Sequence, residues 1–387
     1  MFISDSIKYI GVDDKTIDLF ESQYIVKNGV SYNSYLILDE KTALMDTVDP
    51  RGTEEWSKNL EKELAGRKLD YIVVQHMEPD HSGSLACAIE KYPEAKIVGN
   101  AKTFQYIGQF FDADISERKV EVKEGDEISL GSHTLKFVMA PMVHWPEVMV
   151  TYELSEKVLF SADGFGKFGS LDTDEEWAGE ARRYYINIVG KYGAQVQALL
   201  KKAAGLQIEK ILPLHGPILT ENLGYYLDLY NTWSSYKSEE KGVFIAYASI
   251  HGHTRKAAEI LADKIRSMGE SKVVVADLSR TDISKCVEDA FRYDRMVLCA
   301  ATYDGGAFVP MEDFLHHLQI KTYRNRTVGL LENGTWAPMA AKAMRGYLES
   351  MKDIKILDET VSIKSRYTSA NEETMDALAK AIVVAGI

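Results

Sequence analysis

Four side chains able to bind a metal fall within six residues: His76, Glu78, Asp80 and His81, in Gln75-His76-Met77-Glu78-Pro79-Asp80-His81-Ser82-Gly83. A solvated loop has no reason to gather so many, and the cluster points to a metal. It follows the short apolar run Asp70–Val74 and so should lie in a loop at a strand's carboxyl end. Pro79 stiffens the backbone between the ligands, and Gly83 lets the chain turn away into the next helix. The same pattern recurs at later strand ends. His144 follows Thr134–Ala140, Asp163 follows Lys157–Ser161, and His215 follows Lys210–Leu214, each beside or near Gly or Pro.

A second constellation opens after the strand Val243–Tyr247, in Ser249-Ile250-His251-Gly252-His253-Thr254. Two hydroxyls and a glycine between a strand and its helix form an anion cradle. Backbone N–H groups, Ser249 and Thr254 would face one phosphate at a helix N-terminus. No Gly-Lys-Ser/Thr follows, and the spacing is not G-x-G-x-x-G, which argues against a Walker loop and against a dinucleotide. Two further loops, Thr302-Tyr303-Asp304-Gly305 and Asn333-Gly334-Thr335-Trp336, place an aromatic and a glycine at later strand ends. His251 and His253 add donors to the cradle.

The elements that must hold these residues change character along the chain. In the first part, strands and helices come in blocks. Val30–Leu38 and Thr42–Val48 read as a hairpin around Asp39-Glu40-Lys41, Glu54–Ala65 as a helix, and Asp174–Ala203 as a long helical stretch. Strands on both sides of the helices predict two sheets in an α/β sandwich. Tyr236–Lys241 is a charged stretch read as a linker, giving domains at 1–240 and 241–387. Beyond it, five strands (243–247, 272–277, 295–300, 327–332, 355–361) alternate with five helices. That alternation predicts a doubly wound parallel sheet, with ligands at the strands' carboxyl ends.

His76-x-Glu78-x-Asp80-His81 with His144, Asp163 and His215 resembles the dinuclear motif of the metallo-β-lactamase superfamily. Its hydrolases usually read H-x-H-x-D-H. Here Glu78 stands at the second position, and a carboxylate in place of an imidazole favours iron over zinc. The loop 249–254 resembles the S/T-x-x-G-x-T phosphate loop of flavodoxins. Together the chain resembles flavodiiron proteins over essentially its whole length. The resemblance implies a metallo-β-lactamase-like αββα domain followed by a flavodoxin-like FMN domain. It gives His76, Glu78 and His144 to one iron and Asp80, His81 and His215 to the other, with Asp163 bridging. Tyr303 and Trp336, in the two later loops, are the candidate neighbours of the isoalloxazine, although the second loop departs from the Gly-Ser-Tyr-Gly-Trp wording of many relatives. The resemblance places Tyr184 or Tyr185 near the irons. Electrons would pass from FMN to a non-haem diiron site that reduces O2 to water, NO to N2O, or both. It also implies a head-to-tail homodimer or dimer of dimers and a separate electron donor such as rubredoxin.

Composition narrows the field. The net charge of -13 argues against nucleic-acid binding. Three scattered cysteines, Cys87, Cys286 and Cys299, make neither a disulfide framework nor a CxxC iron site and fit a reducing cytoplasm. Neither a leader pattern nor a membrane-length apolar run is read. His133, His316 and His317 read as packing or surface residues. Two rival classes stand beside the main reading. One is a zinc-dependent metallo-β-lactamase-fold hydrolase with a fused flavodoxin domain, against which Glu78 counts. The other is a non-enzymatic electron carrier, against which the full ligand set counts.

Overall fold

The computed structural model describes residues 2–386. The chain forms two compact units, the first comprising residues up to Tyr185 together with Ala194–Asn231, the second Ile186–Gly193 with residues from Thr232 onward.

The first unit is built on two sheets. One has six strands, ordered in space as in sequence: β1 (Ile7–Tyr9), β2 (Tyr35–Leu38), β3 (Thr42–Met45), β4 (Tyr71–Val73), β5 (Lys96–Gly99) and β6 (Lys119–Glu121). The other has five: β7 (Glu127–Ser129), β8 (Thr134–Met139), β9 (Met149–Glu153), β10 (Val158–Phe160) and β11 (Lys210–Leu212). Alternate residues of each strand point to one face. Ile37, Met45, Val73 and Val98 from the first sheet thereby meet Leu135, Phe137, Met149 and Phe160 from the second in one buried core. Helices α1 (Thr53–Leu64), α2 (Pro79–Ser82), α3 (Leu85–Lys91) and α4 (Ala101–Phe110) connect the first sheet. In α1, Trp56, Leu60 and Leu64 recur every fourth residue and are buried, the spacing that makes one apolar stripe. In α4, Asn100 caps the helix by accepting the Lys102 and Thr103 N–H groups.

Three local expectations are corrected. Val30–Leu38 is two strands, not one, because the chain breaks at Asn33. Its side chain donates to the Pro213 and Gly216 carbonyls, both at 2.8 Å. Asp174–Ala203 is not one helix: α5 (Trp177–Tyr184) passes through a π turn (Tyr185–Val189) and a 3-10 turn before α6 (Gly193–Ala203). Gly193 marks the break, since a Cβ there would lie 2.3 Å from the Ser234 carbonyl oxygen. Tyr236–Lys241 is no loose tether: Glu240 opens the next strand, and Glu239 accepts from the Trp233 indole N–H at 2.7 Å. The first 29 residues, to which no element was assigned, contain β1 and strands of two or three residues, too short to carry a period.

In the second unit the strands are β12 (Glu240–Ala248), β13 (Val273–Asp277), β14 (Tyr293–Tyr303), β15 (Arg326–Asn333) and β16 (Ile354–Ile363). These five pair in parallel in the order β13-β12-β14-β15-β16, and the two-residue strand Gly306–Ala307 pairs antiparallel with the end of β14. Helices α8 (His253–Ser267), α9 (Ile283–Arg292), α10 (Val309–Ile320), α11 (Ala340–Glu349) and α12 (Glu372–Val384) follow the strands in turn, while α7 (Leu223–Ser234) leads into the unit. This is a doubly wound, flavodoxin-like sheet. The order reverses between β12 and β14, where the connections leave on opposite faces and open a crevice at the strands' carboxyl ends.

Candidate metal centre and cofactor cleft

The strand ends of the first unit bring the seven expected side chains together. His76, Glu78, His144 and Asp163 form one group, and Asp80, His81 and His215 another. The segment 75–83 is not wholly loop, because Asp80 and His81 ride on the single turn of α2, which starts at Pro79. Proline suits a first helical position, where its missing N–H is not needed. Gly83 adopts an ordinary right-handed φ of -61°, so turning is not why it is glycine. A Cβ there would lie 2.3 Å from Pro50 Cδ and 2.4 Å from the Pro79 carbonyl oxygen.

Asp163 stands between the groups with its oxygens divided. Oδ2 lies 3.2 Å from His76 Nε2 and 3.1 Å from His144 Nε2. Oδ1 lies 3.1 Å from His81 Nε2 and 3.7 Å from His215 Nε2. Glu78 Oε2 adds 3.0 Å to His144 and 3.4 Å to His76 on the first side. Asp80 Oδ2 adds 3.2 Å to His215 and 3.3 Å to His81 on the second. Ligand atoms about 2.1 Å from a shared ion, at right angles, lie about 3 Å apart.

The buried atoms His76 Nε2, His144 Nε2, His215 Nε2, Asp163 Oδ2 and both Asp80 oxygens nevertheless have no hydrogen-bond partner. Buried polar atoms are rarely left so. Close to one another yet misaligned for hydrogen bonds, they converge on common points, as ligands of a cation do. The donor set of imidazoles and carboxylates fits iron.

The electrostatics agree. Burial pushes the Asp80 carboxyl up to about 7, with Glu78 and Asp163 adding repulsion. Burial also disfavours a charged His144, but the nearby Asp163 and Glu78 carboxylates raise it to about 9. Burial likewise opposes the positive charge that Asp163, Glu147 and Glu78 impose on His76, and the carboxylates win. His215 is lowered by burial. Without a cation, the pocket draws protons to offset its carboxylates.

Residues that the sequence reading did not single out orient these ligands. Glu147 Oε1 takes Nδ1 of His76 at 2.8 Å and the Met77 N–H at 2.8 Å. His215 Nδ1 donates to the Ser31 carbonyl at 2.7 Å, and Asp46 accepts the Gln75 N–H at 2.7 Å. The one readable signal was Glu147 itself, a lone acid three residues after His144 at the start of an apolar strand. Tyr184 is the tyrosine near the centre, its ring 5.4 Å from that of His215. Tyr185 instead packs on Tyr230. His133 is buried against Asp39 and Glu156, and His316 and His317 lie on α10.

The second unit holds a cleft of about 830 Å3 at the ends of β12, β14 and β15, within the range of cofactor sites. Ser249, Ile250, His251, His253 and Thr254 line it, as do Thr302, Tyr303, Asp304, Gly305, Asn333, Gly334, Thr335 and Trp336. Gly252 does not line it. With φ of 87°, a left-handed value that suits glycine, it makes the turn into α8 and donates its N–H to Ser249 Oγ at 3.1 Å. Thr254 is buried, and Asn333 Nδ2 reaches its hydroxyl at 3.4 Å and the Ser365 carbonyl at 2.9 Å. Ser365 comes from the loop after β16, residues 364–368, which has no glycine and no hydroxyl-glycine pattern to mark it as a cofactor loop. Trp336 is 89% exposed and Tyr303 46%.

A sheet pair with two ligand groups sharing one aspartate, in a chain that also carries a flavodoxin-like sheet, defines the class of metalloflavoproteins with a metallo-β-lactamase-type centre. The family model described as "ODP family beta lactamase" matches residues 30–216. The anaerobic nitric oxide reductase flavorubredoxin of Aliivibrio fischeri is 30% identical over 347 residues, covering 86% of this chain and 69% of that protein. Rubredoxin oxygen:oxidoreductase from Desulfovibrio gigas superposes with a TM-score of 0.92 at 27% identity, over 100% of this chain and 98% of that one. The flavodiiron protein of Giardia intestinalis superposes at 0.89 and 25% identity, over 100% and 97%. The chain belongs to the flavodiiron protein family.

Proposed function

We propose that this protein is an oxidoreductase that takes electrons from FMN to a non-haem diiron centre and there reduces O2 to water, NO to N2O, or both. The single observation that carries it is the division of Asp163, one oxygen facing each ligand group. When bound, FMN accepts electrons in pairs and releases them singly, and each iron stores one and offers a position to a diatomic molecule.

The chain's own residues supply placement. His76, Glu78 and His144 would hold one iron and Asp80, His81 and His215 the other, with Asp163 between the two groups. Glu147 and the Ser31 carbonyl fix the His76 and His215 rings so that Nε2 faces the centre. His76, His81, Asp163 and His215 are at most 1% exposed, which keeps bulk water from the reacting atoms. In the second unit, Ser249, Thr254 and the α8 N-terminus would hold the FMN phosphate, and Tyr303 and Trp336 would lie beside the ring. The metal-binding residues all fall within 1–240 and the cleft residues within 241–387.

The finer reading is a cytoplasmic enzyme that receives electrons from a separate rubredoxin-type carrier and works as a head-to-tail homodimer or dimer of dimers. Among the described residues no helix is long and apolar enough to cross a membrane. The exposed apolar rim of Tyr303, Trp336 and Val309 supports burial of the cleft edge against a second copy. Iron- and FMN-loaded protein, reduced and supplied in turn with O2 and, anaerobically, with NO, tests the activity. Consumption of at least one gas is expected, and consumption of neither overturns the proposal.

A further inference from the structure

The first unit contains an apolar cavity between α6, α7 and the sheet β8–β10, formed by side chains such as Val138, Val150 and Leu159. Its volume is about 30 Å3, against the roughly 10–15 Å3 that one water-sized molecule needs. The two hydroxyls in its wall are turned to other work. Ser161 Oγ donates to the Gly164 carbonyl at 2.7 Å, and Tyr230 Oη accepts the Phe165 N–H. Water needs two to four polar partners to stay in such a place, and the walls offer it none. An uncharged diatomic loses no hydrogen bonds on entering.

Position gives the cavity a use. Its inner wall includes Val143 and Gly164, the direct chain neighbours of His144 and Asp163. Its outer wall includes Leu199 and Ala203 of α6, which are only half-buried. The cavity thus lies between the half-buried residues of α6 and the backbone next to two of the proposed ligands. We propose that it is a docking site and entry path for the apolar diatomic substrate, a role that rests on the function proposed above. It would concentrate gas beside the centre while keeping water out.

Crystals of the iron- and FMN-loaded protein pressurised with xenon test this directly, since xenon reports dry apolar space whatever the enzyme's activity. Xenon density between Val143 and Ala203 is expected. Ala203→Phe, which fills the outer part, should abolish that density and raise the KM for gas about ten-fold, with kcat at saturating gas kept. Leu199→Phe does the same if Ala203→Phe fails to fold, and unchanged iron content and Tm verify each variant. Absence of xenon from this cavity, or wild-type KM in a filled variant, overturns the inference. Wild-type protein that consumes neither gas overturns the functional reading itself, whereas normal consumption without xenon here overturns only the docking site.

Discussion

Glu147 and His76 form a fully buried pair, Oε1 to Nδ1 at 2.8 Å, although 71 residues separate them. The carboxylate fixes the ring so that Nε2 faces Glu78 and Asp163. Removing such a partner typically weakens metal binding about 10–100-fold. Glu147→Ala should therefore lower iron affinity by that order, measured by competition with a chelator. Glu147→Gln, which keeps an acceptor, should lose less.

Glu78 contributes one carboxylate oxygen to the first ligand group. Glu78→His restores the imidazole usual in the hydrolases and softens that site. Elemental analysis after growth in mixed metals should show a higher zinc-to-iron ratio than wild type, together with loss of gas reduction. An unchanged ratio would show that metal choice lies elsewhere.

In the metal-free protein, Asp163 and Glu78 overcome burial and hold a proton on His144 up to about 9. A metal must displace that proton. Iron uptake at pH 7 should release protons, and affinity should rise with pH until about 9, where the imidazole is neutral unaided. Calorimetric titration in two buffers of different ionisation heat measures the release. Identical heats in both would contradict it.

His133 sits between Asp39, at 2.8 Å, and Glu156, at 3.4 Å. Burial opposes its charge, but these carboxylates raise its pKa above the ordinary value. A raised pKa gives stability that is complete below the unfolded value, about 6.5, and is lost as pH climbs through the folded one. His133→Asn should cost about 1.5 kcal/mol near pH 6. In denaturant titrations the gap should narrow as pH rises; a gap independent of pH would exclude the charge.

Thr254 places a buried hydroxyl at the start of α8. Thr254→Val keeps the shape and removes one donor to the phosphate, along with the acceptor for Asn333. FMN affinity should fall about ten-fold, near 1.4 kcal/mol, as read by flavin fluorescence. Riboflavin, which lacks the phosphate, should bind both proteins alike.

Much of the architecture was legible because its causes are local. The alternation of apolar strands with helices after residue 242 depends on the composition of each segment, and it predicted the parallel sheet strand by strand. The break between α5 and α6 was not legible. Each flank is locally helical, and the interruption answers to the close approach of the Ser234 backbone at Gly193. The very short strands of the first 29 residues likewise owe their form to pairing partners, as Val12–Asp14 does to Val30–Tyr32.

By itself the sequence determined which ligand types are present, their spacing in His76–His81, and the strand ends where the others follow. These are matters of residue chemistry and of periods within a few neighbours. Only the tertiary structure decided that Asp163 turns one oxygen to each group, that Glu147 and the Ser31 carbonyl aim the rings, and that Ser365 joins the cleft. His215 and Ser31 lie 184 residues apart. A hydrogen bond across such a distance depends on where two sheets bring their ends, and a local sequence pattern does not encode it.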